Sequence, residues 1–121
     1  MKAKEIAKLL KAVPITYTLW DEYAQEREFT KAFATDLMSD VLAMCQDDFD
    51  ITVLITGLAA DQTFRTLEML DMTFAILVRG KYPPDEFIQM AVDMDIVLLG
   101  TDYSMYEACG ILYANGLGGA I

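Results

Sequence analysis

Ile51-Thr52-Val53-Leu54-Ile55-Thr56-Gly57 and Phe74-Ala75-Ile76-Leu77-Val78 are two runs in which apolar residues follow one another instead of alternating with polar ones. A strand with one face in water alternates, so continuous runs of this length predict strands covered on both faces, as in a parallel sheet. Each run breaks into a short polar loop that leads into apolar residues at helical spacing. Phe64, Leu67, Leu70 and Met72 follow the first loop, and Phe87, Ile88, Met90, Ala91 and Met94 follow the second, over 85–94. A third strand, Ile96-Val97-Leu98-Leu99, and a last helix from about Ser104 to Asn115 repeat the alternation. Strand and helix recurring at intervals of about 20 residues predict an α/β fold with right-handed crossovers.

The pattern is looser toward the N-terminus. Ile6, Leu9 and Leu10 mark one face of a helix over residues 2–12, which Pro14 stops. Ile15-Thr16-Tyr17-Thr18-Leu19-Trp20 reads as a strand by its β-branched and aromatic content, and Phe29 to Ala34 as another. Asp21 to Glu28, between them, has too few apolar residues for a core position and reads as a surface loop or a short exposed helix. A helix then begins at Asp36, whose carboxylate is placed to cap it, with Leu37, Met38, Val41, Leu42 and Cys45 on its apolar side and Asp47-Asp48 at its end. A length of 121 residues suits a single core. The expected architecture is one compact α/β domain over residues 1–121, with a mostly parallel sheet of about five strands flanked by helices. Residues 116–121 are expected to form a flexible tail behind Gly116.

The net charge of −10 opposes binding to nucleic acid. Lys2, Lys4, Lys8 and Lys11 are interleaved with the apolar face of one short helix and read as its solvated side. No apolar run approaches the roughly 18 residues of a membrane span, and Met1 to Ile6 lacks a secretory h-region. A soluble, cytoplasmic protein is expected. Cys45 and Cys109 belong to no CxxC pair and read as small buried hydrophobes, and the methionines as core or subunit-interface filler. Histidine is absent, which removes the Ser-His-Asp and Cys-His nucleophile arrangements and His-bearing zinc sites. With no catalytic motif either, we expect a protein that is not an enzyme and has no cofactor. Asp36, Ser39 and Asp40 share the first turns of one helix, but helix capping accounts for them better than Mg²⁺, so no metal site is expected.

The positive charge is confined to a few places. Between Ala32 and Ile121 the only cations are Arg65, Arg79 and Lys81, against fourteen Asp and Glu, and all three lie at the loops that follow the two runs. Ligands of parallel α/β sheets gather outside the carboxyl ends of the strands. Thr56-Gly57 offers a turn with little guarding its backbone, and Gln62, Arg65 and Thr66 follow at a helix start whose free N–H groups attract anions. The plainer alternative pairs Arg65 with Asp61 or Glu68 on its own helix. Arg79-Gly80-Lys81 brackets a glycine with two cations directly after a buried strand, and Pro83-Pro84 stiffens the rest of that loop. Here the alternative is a clamp on Asp36, Asp40 or Asp61. A P-loop is excluded by spacing, since it needs glycine where Ala75 stands and Ser or Thr where Tyr82 stands. Gly116-Leu117-Gly118-Gly119 has no helix after it and is no dinucleotide signature. A third opening, Gly100-Thr101-Asp102-Tyr103-Ser104, comes after the strand that ends at Leu99.

Several strings together resemble one family. Ala34-Thr35-Asp36-Leu37-Met38-Ser39-Asp40-Val41-Leu42-Ala43, Leu54-Ile55-Thr56-Gly57-Leu58, Arg65-Thr66-Leu67-Glu68-Met69-Leu70-Asp71, Val78-Arg79-Gly80-Lys81 and the stretch from Ala108-Cys109-Gly110-Ile111-Leu112-Tyr113 to Gly116-Leu117 look like the short, stand-alone DRTGG-domain proteins of anaerobic bacteria. Weaker similarity extends to the DRTGG modules of phosphotransacetylases and CBS-domain pyrophosphatases, and to the non-catalytic N-terminal domain of HPr kinase. The resemblance implies a small α/β module that dimerises and serves in sensing or interaction, often beside hydrogenase and NADH-oxidising subunits. The sequence departs from the broader family in having Arg79-Gly80-Lys81 where many modules have Thr-Gly-Gly, and Leu58 where others place Asp after the glycine.

The expectation is therefore a homodimeric, non-catalytic regulatory module tied to redox, hydrogenase or energy metabolism. Its ligand would be a small anion, a nucleotide among the candidates, held by Thr56, Gly57, Gln62, Arg65, Arg79, Gly80, Lys81, Thr101 and Tyr103. The rival is an accessory module that binds no small molecule and docks on a redox enzyme.

Overall fold

The computed structural model describes residues 1–44 and 48–120. Its strands are β1 (Val13–Pro14), β2 (Lys31–Ala34), β3 (Thr52–Thr56), β4 (Phe74–Leu77), β5 (Val97–Gly100) and β6 (Gly118–Gly119). Its helices are α1 (Ala3–Leu9), α2 (Glu22–Glu26), α3 (Met38–Met44), α4 (Asp61–Leu70), α5 (Asp85–Asp93) and α6 (Met105–Ala114). The strands form one sheet in the order β1-β5-β4-β3-β2-β6. β2 to β5 run parallel, β6 is parallel to β2, and only β1 is antiparallel to its neighbour, β5.

The strands β3, β4 and β5 that these runs form are buried throughout, and their side chains divide between two cores by the period of two that a strand imposes. Val53, Ile55, Phe74, Ile76, Val97 and Leu99 face the side covered by Ala3 and Ile6 of α1, Ala24 of α2 and Ala108 and Leu112 of α6. Leu54, Ala75, Leu77 and Leu98 face Met38 and Val41 of α3, Phe64 and Leu67 of α4 and Ala91 of α5. The crossover helices α3, α4 and α5 thus share one face, which the chain enters after β2 and leaves after β5.

Several expectations need correction. The predicted strand over Ile15 to Trp20 is a turn followed by a 3₁₀ helix, Tyr17–Leu19, while the strand itself is the pair before it. Ile15 donates its N–H to Leu98 (2.8 Å), and the Thr16 hydroxyl then accepts the Leu98 N–H (2.9 Å), so a side chain takes the place of a ladder carbonyl and the chain leaves the sheet. Among the described residues the sheet has six strands instead of about five, because the stretch expected to be a flexible tail supplies β6, which pairs with Lys31 and Ala32 of β2. Asp21 to Glu28 holds a short helix, α2, one of the two expected alternatives, with Asp21 accepting from the Ala24 N–H as its cap, but it does reach the core, through Ala24. Cys109 is partly buried on α6, whereas Cys45 lies outside the described residues. Among the described residues, no helix is long and apolar enough to cross a membrane.

Candidate functional site

β3, β4 and β5 end side by side, so the three loops predicted as openings adjoin within one chain. Beyond β3, Asp36 organises the turn: its Oδ1 accepts the Gly57 N–H (2.6 Å) and the Thr56 hydroxyl (3.3 Å). The Thr56 hydroxyl in turn accepts the Leu58 N–H at 3.1 Å. Asp36 therefore does not cap α3 as expected. The free N–H at the end of a neighbouring strand competes better for its carboxylate, and Thr35 accepts the Leu37 N–H instead.

Beyond β4 the chain makes a tight turn in which Arg79 (φ 63°) and Gly80 (φ 66°) both adopt left-handed backbone, closed by the Lys81 N–H on the Val78 carbonyl at 3.3 Å. Two successive residues of positive φ are the geometry of a type I′ turn. Glycine takes this conformation freely, while for arginine it costs about 1–2 kcal/mol. The loop after β5 holds the turn in place: Tyr103 accepts the Arg79 N–H (2.8 Å) and Thr101 the Gly80 N–H (3.0 Å). The Arg79 side chain reaches the other way, with Nη2 donating to the Gly57 carbonyl (3.4 Å) and to Asp36 Oδ2 (3.5 Å). A Cβ on Gly57 would fall on that guanidinium, so the glycine leaves room for the Arg79 side chain to lie there. Arg79 thus ties all three loops together, by its backbone on one side and its side chain on the other.

The rim also rests on buried hydroxyls. Thr56 and Thr101 are almost wholly buried, and the Thr101 hydroxyl donates to the Leu10 carbonyl at 2.7 Å, joining the loop to the end of α1. In this geometry both threonines shape the loops from within. Gln62 and Arg65 lie on the exposed side of α4, and Arg65 pairs with Asp61 one turn back, an interaction that raises the Arg65 pKa. Thr63 and Thr66 on the same helix are buried. Gly80 and Lys81 are exposed, and Lys81 makes no ion pair among the described residues. Tyr103 is half-buried.

α5, which comes after β4, covers one face of the sheet and α6, which comes after β5, the other. Where connections from neighbouring strands part in this way, a crevice opens at the carboxyl ends. A cleft of about 340 Å³ lies here, lined by Leu10, Lys11, Thr101, Asp102, Tyr103 and Glu107. Lys11, read from sequence as part of a solvated helix face, stands past the end of α1 with φ 49° and lines this cleft. No spacing in the sequence announces it, because the threonine it adjoins is ninety residues away. The hold of Asp36 on the Gly57 turn escapes the sequence for the same reason. The cleft can accommodate a small polar group beside a lysine, while the carboxylates of Asp102 and Glu107 restrict where negative charge can sit.

Two larger clefts lie elsewhere. One, of about 660 Å³ near the amino ends of the strands, is lined by Asp21, Glu26, Glu28, Asp50 and Asp95 with a single cation, Arg27, and would repel an anion. Burial lowers the Arg27 pKa, and its guanidinium lies over the rings of Phe29 (5.1 Å) and Phe74 (5.9 Å). The other runs beside α6 and is apolar. Among the described residues, no group of three or more acidic, Cys or His side chains is placed to hold a metal ion.

No protein-family model matches the sequence, and no curated protein matches it either. A crystal structure of the CBS and DRTGG domains of the regulatory region of Clostridium perfringens pyrophosphatase, complexed with the activator diadenosine tetraphosphate, is similar over 92% of this chain, with a TM-score of 0.70 and 16% identity. The chain spans 45% of the length of that one. At that identity the likeness is one of fold, and it establishes a single α/β domain of the kind found in that regulatory region.

Proposed function

We propose that this protein is a non-catalytic regulatory module that binds a small anionic ligand, of the nucleotide class, where the loops after β3, β4 and β5 meet. The observation that carries the reading is the Arg79 turn: a non-glycine residue held in left-handed backbone, with a half-exposed guanidinium, at the junction of three loops. Strained backbone of this kind persists where surroundings fix it, and it clusters at ligand clamps. Lys81 and Lys11 stand nearby without ion-pair partners among the described residues, and Arg79 is countered only by an exposed, long pair to Asp36 that a ligand can replace at little cost. Thr56, Gly57, Thr101 and Tyr103 form the frame, with Gln62 and Arg65 on its α4 side. The nucleotide activator bound by the structurally similar pyrophosphatase region favours the nucleotide class. The family resemblance adds homodimerisation and a place beside redox or hydrogenase enzymes.

Thermal unfolding with ATP, diadenosine tetraphosphate, acetyl phosphate and NADH tests this. A ligand present at 100 times its dissociation constant stabilises by about 2.7 kcal/mol. Arg79→Ala and Lys81→Ala should remove that gain. If none of these anions stabilises the protein, and Lys81→Ala changes neither its assembly nor its capture of redox enzymes, the reading is wrong. A second reading, a module that docks on a redox enzyme and holds no small molecule, is favoured by the Arg65–Asp61 and Arg79–Asp36 pairs, which leave both arginines already countered. Pull-down of an enzyme without any effect of anions would select it.

A further inference from the structure

The cleft of about 340 Å³ between the end of α1 and the loop after β5 carries one cation, Lys11, and two carboxylates, Asp102 and Glu107. It adjoins the Arg79 turn, since Asp102 Oδ1 lies 3.1 Å from where a Cβ on Gly80 would stand. Most polar groups of this corner are already engaged. The Thr101 hydroxyl is spent on the Leu10 carbonyl, and the carbonyls of Thr101 and Tyr103 accept the N–H groups of Gly80 and Arg79. Glu107 Oε1 accepts from the Ser104 hydroxyl at 3.3 Å. The exposed Asp102 carboxylate, by contrast, has no hydrogen-bond or ion-pair partner among the described residues. A phosphate seated against Gly80 meets that carboxylate at close range, where like charges repel. A hydroxyl in the same place donates to it instead, in a charge-assisted hydrogen bond.

We infer that this cleft takes the sugar of a ribonucleotide, with a ribose hydroxyl donating to Asp102, while the phosphates lie outward at Arg79 and Lys81. This deepens the function proposed above and rests on it: the nucleotide class narrows to nucleotides with free ribose hydroxyls, and Asp102 joins the site. Charge selects the sugar. Lys11 offsets one of the two carboxylates, so the cleft is left slightly negative and admits a neutral donor group in preference to a phosphate. Position agrees. The Gly80 turn ends β4, and Asp102 directly follows β5, the parallel neighbour of β4. In dinucleotide-binding α/β sheets the pyrophosphate likewise lies at a glycine turn after one strand, and an acidic residue about 20 positions further on holds the ribose. A simple acyl phosphate offers Asp102 no donor and is disfavoured by the same argument.

Isothermal titration calorimetry in EDTA with ATP, 2′,3′-dideoxy-ATP and tripolyphosphate tests the inference, with circular dichroism to show that each variant is folded. The wild type should bind ATP about 10-fold or more tightly than dideoxy-ATP, the effect of one hydrogen bond to a charged group. Asp102→Ala should bind ATP and dideoxy-ATP alike, and should hold tripolyphosphate more tightly than the wild type does, because a negative charge beside the Gly80 turn is gone. Weaker ATP together with tighter tripolyphosphate is a crossed result that a merely structural role of Asp102 does not produce. A preference for ATP that persists in Asp102→Ala would overturn the assignment. Equal binding of ATP and dideoxy-ATP by the wild type, lost for both in Arg79→Ala, would overturn the inference and leave the anion site standing. Binding that appears only when Mg²⁺ replaces EDTA, with no preference for the ribose, would overturn it too and give Asp102 to the ion. No binding of any of the three, with EDTA or with Mg²⁺, would overturn both the inference and the nucleotide reading beneath it.

Discussion

Arg79 and Gly57 are coupled through space, and each constrains what the other can be. Replacing Arg79 by glycine removes the left-handed strain of about 1–2 kcal/mol, forfeits an exposed ion pair worth about 0–1 kcal/mol, and gives the unfolded chain more freedom. These effects oppose one another, so Arg79→Gly should keep its stability within about 1 kcal/mol of the wild type in urea unfolding, while losing any stabilisation by anions. Gly57→Ala should act differently. Its backbone accepts alanine, but the new Cβ displaces the guanidinium from the Gly57 carbonyl and Asp36. A loss of about 1 kcal/mol or less is expected, with ligand affinity reduced as in Arg79→Ala. The sequence told that Arg79, Gly80 and Lys81 sit together after a buried strand, because adjacency and hydropathy are local. It could not tell whether Asp36, Asp40 or Asp61 would answer Arg79, since that choice depends on how β3 brings Gly57 against the start of α3.

At the level of elements, the joints between α1 and its neighbours are made by single side chains. The buried Thr101 hydroxyl donates to the Leu10 carbonyl, so Thr101→Val, of similar shape, leaves that carbonyl without its donor. A loss of about 1–3 kcal/mol is expected from chemical denaturation. At the other end of α1, Glu26 of α2 accepts from Lys2 (2.7 Å) and Lys4 (2.5 Å). The Lys2 hydrogen bond, then that from Lys4, lowers the Glu26 pKa from 4.5 to about 2. A carboxyl whose folded pKa lies below its unfolded one stabilises the fold above the unfolded value and ceases to as pH falls through the folded one. Glu26→Gln should therefore flatten the acid limb of the stability curve between about pH 4.5 and 2, the range set by those two values. The elements the sequence revealed best are β3, β4, β5 and the helices between them, where burial on both faces writes an unbroken apolar run. Ile15 to Trp20 misled because β-branched and aromatic content marks a half-buried pleat only when a neighbouring strand accepts the whole length. Here β5 pairs with two residues, and Thr16 ends the ladder with its own side chain.

Over the whole molecule, the sheet is the shared wall of two cores, so a cavity in a central strand weakens the packing of helices that the other face never touches. Ile76 is fully buried among residues of α1, α6 and the neighbouring strands. Ile76→Ala should cost about 2–5 kcal/mol, read from the shift in the urea midpoint with an unchanged slope. β6 matters to the same sheet for another reason. Its two glycines close the outer side of β2, yet they lie more than eighty residues further along the chain. During synthesis β2 therefore waits, with its outer hydrogen-bonding groups open, until β3, β4, β5 and the helices after them have been made. An open edge is a template for other strands. Deleting residues 118–121 should leave that edge permanently bare, and such a chain should scatter light at concentrations where the full one stays clear. Timing, and not only geometry, is thus written into the position of Gly118 and Gly119: the strand that covers the edge of β2 is made only after β3, β4 and β5.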